Sequence, residues 1–183
     1  MFLILYARIM GCYLAPGALK LRKKMFDAFE SIPEDRPLVA QLAGSNSEEL
    51  VASGLKLQAY VDAIDLNFGC PQKIARKGNY GAFLLEDSDL VCELVKHLAD
   101  SVAVPITCKI RLLPTMDDSL TLAKRLQSAG CSMLTVHGRT RWQNKQLSGA
   151  ADWDAIAAIK QEIEIPVLAN GNIETFWDVE RCM

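Results

Sequence analysis

Apolar residues in this chain fall into short strand-like runs that alternate with stretches at helical spacing. Residues 2–7 (Phe-Leu-Ile-Leu-Tyr-Ala) read as a strand. A helix is expected over 19–32, where Leu21, Met25, Ala28 and Phe29 recur at helical spacing until Pro33 stops it. Residues 38–42 form the next strand, and Ser45-Asn-Ser-Glu48 is a capping box opening a helix that carries Leu50, Val51, Leu55 and Leu57. A strand over 62–67 follows, its apolar Ala63, Ile64 and Leu66 interleaved with Asp65 and Asn67. The rest continues in kind: helix 88–99, strand 105–111, helix 118–129 closed by Gly130, strand 133–137, helix 153–162, strand 165–170, and a helix from Ile173 onward.

Strands alternating with helices imply parallel βαβ units. Five successive apolar strands each end near a polar residue: Gln41, Asn67, Lys109, His137 and Asn170. Each such end precedes a loop and then a helix, as on the rim of a barrel whose strand C-termini build one site. A doubly wound sheet would not require a polar group at every strand end, and no Gly-Xaa-Gly-Xaa-Xaa-Gly follows the first strand. The expected class is α/β, a partial (β/α)8 TIM barrel. About six strands are found where a complete barrel has eight. No linker or low-complexity segment divides residues 1–183, so a single catalytic-type domain is expected.

Composition is that of an ordinary globular α/β protein, with 50 % hydrophobic and 23 % charged residues. The net charge of −2 announces no nucleic-acid binder, so local clusters must carry any such argument. Two clusters qualify: Lys73, Arg76 and Lys77 after one strand end, and Arg139, Arg141 and Lys145 after another. Such clusters either sit in solvated loops or hold phosphates. Tyr80 and Trp142 could stack on bases or pack against those same loops. Six cysteines without a Cys-Xaa-Xaa-Cys pair argue against a disulfide framework or a metal site and for a reducing compartment. The run 2–7 is too short for a membrane span and lacks the basic flank of a signal peptide. A cytoplasmic location without a membrane partner is expected, nucleus or organelle remaining open.

The most chemistry-bearing stretch is Asn67-Phe-Gly-Cys-Pro71. Gly69 permits close backbone approach, and Pro71 holds Cys70 extended at the strand end. A cysteine in such a turn is otherwise a small buried hydrophobe; here basic residues and glycines, Gly78 and Gly81, follow at once.

Gln41, Asn-Phe-Gly-Cys-Pro (67–71), Lys-Gly-Asn-Tyr-Gly-Ala-Phe-Leu (77–84), Cys-Lys-Ile-Arg (108–111), Thr-Val-His-Gly-Arg-Thr (135–140) and Ala-Asn-Gly-Asn-Ile (169–173) together resemble the tRNA-dihydrouridine synthases. The ordered series carries the resemblance. Residues 33–37 and 147–153 are similar to the branch acting on uridines 16 and 17 of the tRNA D-loop. The resemblance implies an FMN barrel, reduced by NADPH or NADH, that saturates the C5–C6 bond of a uracil. Hydride goes to one ring carbon and a proton to the other. A thiol, with an ordinary pKa of about 8.5, can supply that proton, and Cys70 is so assigned.

The resemblance further places Gln41, Lys109 and His137 on the flavin ring and Asn170-Gly171-Asn172 at its phosphate. Asn67 could position flavin or uracil and is assigned to the uracil side; Arg76, Lys77, Arg139 and Arg141, from their place after two strand ends, are expected on the substrate side with Arg111, the target uridine being flipped from its stack. The resemblance also implies that the family's first strand, last strand and C-terminal tRNA-binding helical domain are absent from these 183 residues, so that the isolated chain should bind flavin weakly. Two other readings stay open: another FMN barrel oxidoreductase acting on a free pyrimidine, and a non-catalytic RNA-binding fragment.

Overall fold

The computed structural model describes residues 12–13, 34, 36–144 and 148–183. The strand expected over 2–7 and the helix expected over 19–32 lie outside the described residues. Within them run strand β1 (Cys12–Tyr13), β2 (Val39–Ala43), helix α1 (Ser47–Leu57), β3 (Ala63–Phe68), the short helix α2 (Lys73–Lys77), a 3-10 turn (Gly81–Glu86), α3 (Ser88–Ser101), β4 (Ile106–Leu112), α4 (Met116–Ser128), β5 (Cys131–Thr140), α5 (Trp153–Glu162), β6 (Val167–Asn170) and α6 (Phe176–Cys182).

The strands are parallel and lie side by side in chain order, β1 to β6. Sequential order is what a singly wound barrel wall requires, whereas a doubly wound sheet reverses its order partway. The fold is α/β with a partial (β/α)8 barrel wall.

Strand alternation sorts the residues onto two faces. Leu42, Ile64, Leu66, Phe68, Ile110 and Leu134 belong to one apolar cluster with the helices' Leu50, Leu94, Leu98, Leu122 and Ile159. The opposite face is polar. Gln41 is paired with Asp65 and Asp65 with Thr107; Asn67 is paired with Lys109 and Lys109 with Thr135; Arg111 is paired with His137 and His137 with Asn170. The helices thus cover one side of the sheet, and the chemistry lies on the other.

Helix starts follow from local capping. Asn46, extended, accepts from Glu49 N at 2.8 Å and opens α1, one residue later than the expected box at Ser45; Glu48 and Glu49 then complement the helix dipole. Asp87, Thr115 and Asp152 cap α3, α4 and α5 in the same way. In α3 the buried Val91, Leu94, Val95 and Leu98 form a stripe at helical spacing, each burial worth roughly 1.5–3 kcal/mol.

Other boundaries also move. The central strand is 63–68 rather than 62–67, and β5 extends to Thr140, beyond the expected 137, carrying Gly138 and Arg139 in the sheet. The final helix begins at Phe176 rather than Ile173, because Thr175 and Asp178 form a reciprocal capping box there.

Candidate active site at the strand C-termini

The loop after β3 is shaped by Asn67. Its Oδ1 accepts from the backbone N–H groups of Gly69 at 3.0 Å and Cys70 at 3.1 Å. Cys70 is half-buried, and its carbonyl accepts from Ala82 N at 3.0 Å, which ties the loop to the 3-10 turn. Lys109, on the neighbouring strand, reaches the same place: a Cβ on Gly69 would lie 3.6 Å from Lys109 Nζ. The Lys109 amine therefore reaches the loop that carries Cys70.

Gln41 is committed below this point. Its Nε2 donates to Asp65 Oδ2 at 2.7 Å, and its Oε1 accepts from Asn67 Nδ2 at 2.9 Å. Thr107 Oγ1 donates to the other carboxylate oxygen, Oδ1, at 2.7 Å. Burial pushes the Asp65 carboxyl up, while Gln41, Thr107 and the Lys109 charge pull it back. Burial pushes the Lys109 amine down, assisted by the Arg111 charge, with Asp65 opposing. Lys109 has no ion-pair partner among the described residues.

His137 stands one strand further along. Arg139 Nη1 lies 3.1 Å from His137 Nε2, and a guanidinium only donates, so Nε2 is the acceptor and the proton resides on Nδ1. Burial, with the Arg111, Lys109 and Arg139 charges, lowers its pKa to about 4. His137 is neutral at physiological pH. Next to it, Gly171 has φ of +109°, and a Cβ there would meet Ala151 Cβ at 2.8 Å and His137 Cδ2 at 3.1 Å. Only glycine lets the 170–172 turn close on the imidazole. Asn172 Oδ1 accepts from Arg139 Nη2 at 2.6 Å and Ala151 N at 2.7 Å.

The arginines expected to face substrate are mostly occupied within the protein. Arg111 donates through Nε to Gly69 O and through Nη1 to Thr140 O and Gln143 O, stapling the loops after β3 and β5. Arg139 holds Gly149 O with Nε at 3.0 Å and Nη2 at 2.7 Å. Arg141 pairs with Glu86 and stacks on the rings of Phe83 and Trp142. Arg76 and Lys77 are different: with Lys73 they are exposed on α2 and make no ion pair among the described residues. The start of the helix that follows Asn170-Gly171-Asn172 already carries its own Asp178 carboxylate.

Asp65, Thr107 and Thr135 join the site without having been expected there from sequence. The signal that could have found them is their odd register with Asn67 and Lys109, which puts all of them on the polar face. Among the described residues no group of histidines, cysteines or carboxylates is placed to hold a metal, and no helix is long and apolar enough to cross a membrane.

Comparison with known proteins gives this rim a family. The dihydrouridine synthase (Dus) family model matches residues 14–183. A Mus musculus protein named tRNA-dihydrouridine(16/17) synthase (NAD(P)(+))-like is 48 % identical over 151 residues, covering 82 % of this chain and 32 % of the relative. Proteins named tRNA-dihydrouridine(16/17) synthase (NAD(P)(+)) are 40 % identical in Schizosaccharomyces pombe, covering 88 % of this chain and 41 % of that one. In Saccharomyces cerevisiae identity is 39 %, with 97 % and 43 % covered. The chain thus spans about a third to two-fifths of the length of these curated relatives. With the match running through every strand end that builds the polar face, the chain belongs to the dihydrouridine synthase family.

Proposed function

We propose that this rim carries the catalytic centre of a flavin-dependent tRNA-dihydrouridine synthase acting on D-loop uridine 16 or 17, with NADPH or NADH as reductant. The observation that supports it most is the convergence of the Cys70 loop and the Lys109 amine on Gly69, in a chain of this family.

The residues present suit FMN. Lys109 is a half-buried cation without an ion-pair partner among the described residues, suited to an electron-rich ring edge. Gln41 keeps one N–H and one lone pair beyond its two bonds. His137 Nδ1–H is a donor at neutral pH, and the Gly171 turn is a cradle that a Cβ would fill. Gln41, Lys109 and His137 would hold the ring, and the Asn170-Gly171-Asn172 turn its phosphate. Bound there and reduced, the flavin supplies the hydride that saturates the C5–C6 bond of uracil.

Cys70 gives the proton to the other ring carbon, as a general acid. Asn67 has one N–H left after its three bonds and offers a donor to a uracil carbonyl. Arg111 ties the loops after β3 and β5 together rather than holding substrate, and Lys73, Arg76 and Lys77 meet tRNA phosphates. The thiol chemistry belongs in a reducing compartment, the cytoplasm.

The test is dihydrouridine formation by the full-length protein on tRNA lacking the modification, beside free uracil as substrate. Cys70→Ala should abolish turnover, by a factor of about 10²–10⁴ for a missing general acid, while flavin stays bound. Reduction of free uracil in preference to tRNA, or full activity in C70A, would overturn the reading.

A further inference from the structure

We propose that Asp65 is a positioning residue: its carboxylate sets the direction of a hydrogen-bond relay that runs through Gln41 and Asn67 to the backbone of Cys70. Asp65 is 8 % exposed and sits two residues before Asn67 on β3, on the same face of the strand. Its own hydrogen bonds go to Gln41 and Thr107, not to the Cys70 loop.

The direction follows from donor and acceptor inventory. An ionised carboxylate only accepts. Thr107 donates to one oxygen and Gln41 Nε2 to the other, so the Gln41 amide must turn its NH2 toward Asp65. Its Oε1 then faces Asn67 and takes a donor from it, at 2.9 Å. Asn67 in turn must present Oδ1 to the loop, where it receives both the Gly69 and Cys70 N–H groups. Each amide could be reversed in isolation. The two donors already seated on its oxygens make Asp65 the acceptor at the far end and remove that choice; burial raises its pKa, and the bonds from Gln41 and Thr107 and the Lys109 charge oppose that rise. Reversing Asn67 would put an NH2 against two backbone donors and release the turn that carries the thiol.

The inference rests on the proposed function only in taking Cys70 as the reacting thiol. Its test needs no turnover. In the full-length protein, iodoacetamide labelling of Cys70 is timed by peptide mass spectrometry, with Cys92 on α3 as internal reference. Asp65→Leu, of the same branched shape and without an acceptor, should raise the Cys70-to-Cys92 rate ratio about fivefold, the loosening expected when one hydrogen bond is removed. Gln41→Met cuts the relay one link later with Asp65 intact and should give the same rise. The double variant should show no more than either single one, because a single relay is broken once.

Should D65L fail to fold, Q41M decides alone. An unchanged ratio in a folded variant, a parallel rise at Cys92, or additive rises in the double variant would overturn the relay. In the flavin-loaded enzyme D65L should lower kcat with KM for tRNA within about twofold, as removal of a positioning group predicts; an equal loss spread into KM would mean a general disturbance of the site. A wild type without turnover would defeat the proposed function and leave the labelling result to decide the relay.

Discussion

At His137, pH reports on the site without any substrate. The unfolded residue takes up a proton near its ordinary 6.5, but the folded one only near about 4, because burial and three neighbouring cations oppose the charge. Between those values the unfolded chain binds more protons. The contribution is fully present above 6.5 and is lost as pH falls toward 4. Asp65, shifted upward, acts in the opposite sense over part of that window. Asp62, Glu86 and Asp178, held below the usual carboxylate range, lose their contribution only at lower pH. The measurement is therefore the difference between wild type and His137→Gln: denaturant midpoints should converge as pH drops from 6.5 to 4. Imidazole proton shifts should titrate near 4 in the folded protein, and a midpoint near 6.5 would remove the cationic surroundings from the account. Lys109→Met tests the other half of that charge cluster. It should weaken flavin binding about tenfold, the size of one charge-assisted hydrogen bond, and raise the His137 titration as a neighbouring cation disappears. Flavin titration and the same proton shifts read both effects.

Among the elements, β5 and α5 are joined where no side chain fits. A Cβ on Gly138 would meet Asp152 O at 2.8 Å and Asp152 N at 2.9 Å, both backbone atoms that cannot step aside. Asp152 N donates to Gly138 O at 2.6 Å, and the Asp152 side chain caps α5 through Ala155 N. Gly138→Ala should thus destabilise by about 1–3 kcal/mol, the range for an overpacked site, seen as a lowered urea midpoint. An unchanged midpoint would show that strand and helix start can separate without cost. Most elements of this kind are legible in the sequence because burial on one face imposes a period. Leu90, Val91, Leu94, Val95 and Leu98 announce α3, and the alternation of Ile64 and Leu66 with Asp65 and Asn67 announces β3. The short helix α2 and the 3-10 turn are not announced in this way. Five or six residues hold too few turns to display a period, and their conformation depends on bonds such as Ala82 N to Cys70 O. The helix cap expected at Ser45 falls on Asn46 for a related reason: Ser45, Asn46 and Ser47 are all competent caps, and backbone geometry chooses among them.

For the molecule as a whole, the rim is legible and its wiring is not. Polar strand ends point to Gln41, Asn67, Lys109, His137 and Asn170, which the sheet register does place on one face. Sequence does not say which cations face outward, because that depends on carbonyls far along the chain. Arg111 and Arg139 spend their donors on backbone oxygens and on Asn172, and Arg141 on Glu86. Lys73, Arg76 and Lys77 are spaced i, i+3 and i+4, so α2 presents all three together beside the Cys70 loop. With a net charge of −2, affinity for a polyanion must come from such a patch rather than from the whole surface. Replacing the three with glutamine should weaken tRNA binding across sequences and flatten the plot of log affinity against log salt by about 2–3, at roughly 0.7–0.9 for each phosphate no longer neutralised. Flavin binding should not change, since all three are exposed on α2 and none belongs to the sheet. Arg139→Gln should behave oppositely, loosening the turn around Asn172 and weakening flavin binding while leaving the salt slope in place. If the slope instead flattens in R139Q and survives in the α2 variant, the tRNA backbone crosses the loop after β5, and the arginine bonds seen here must open when it binds.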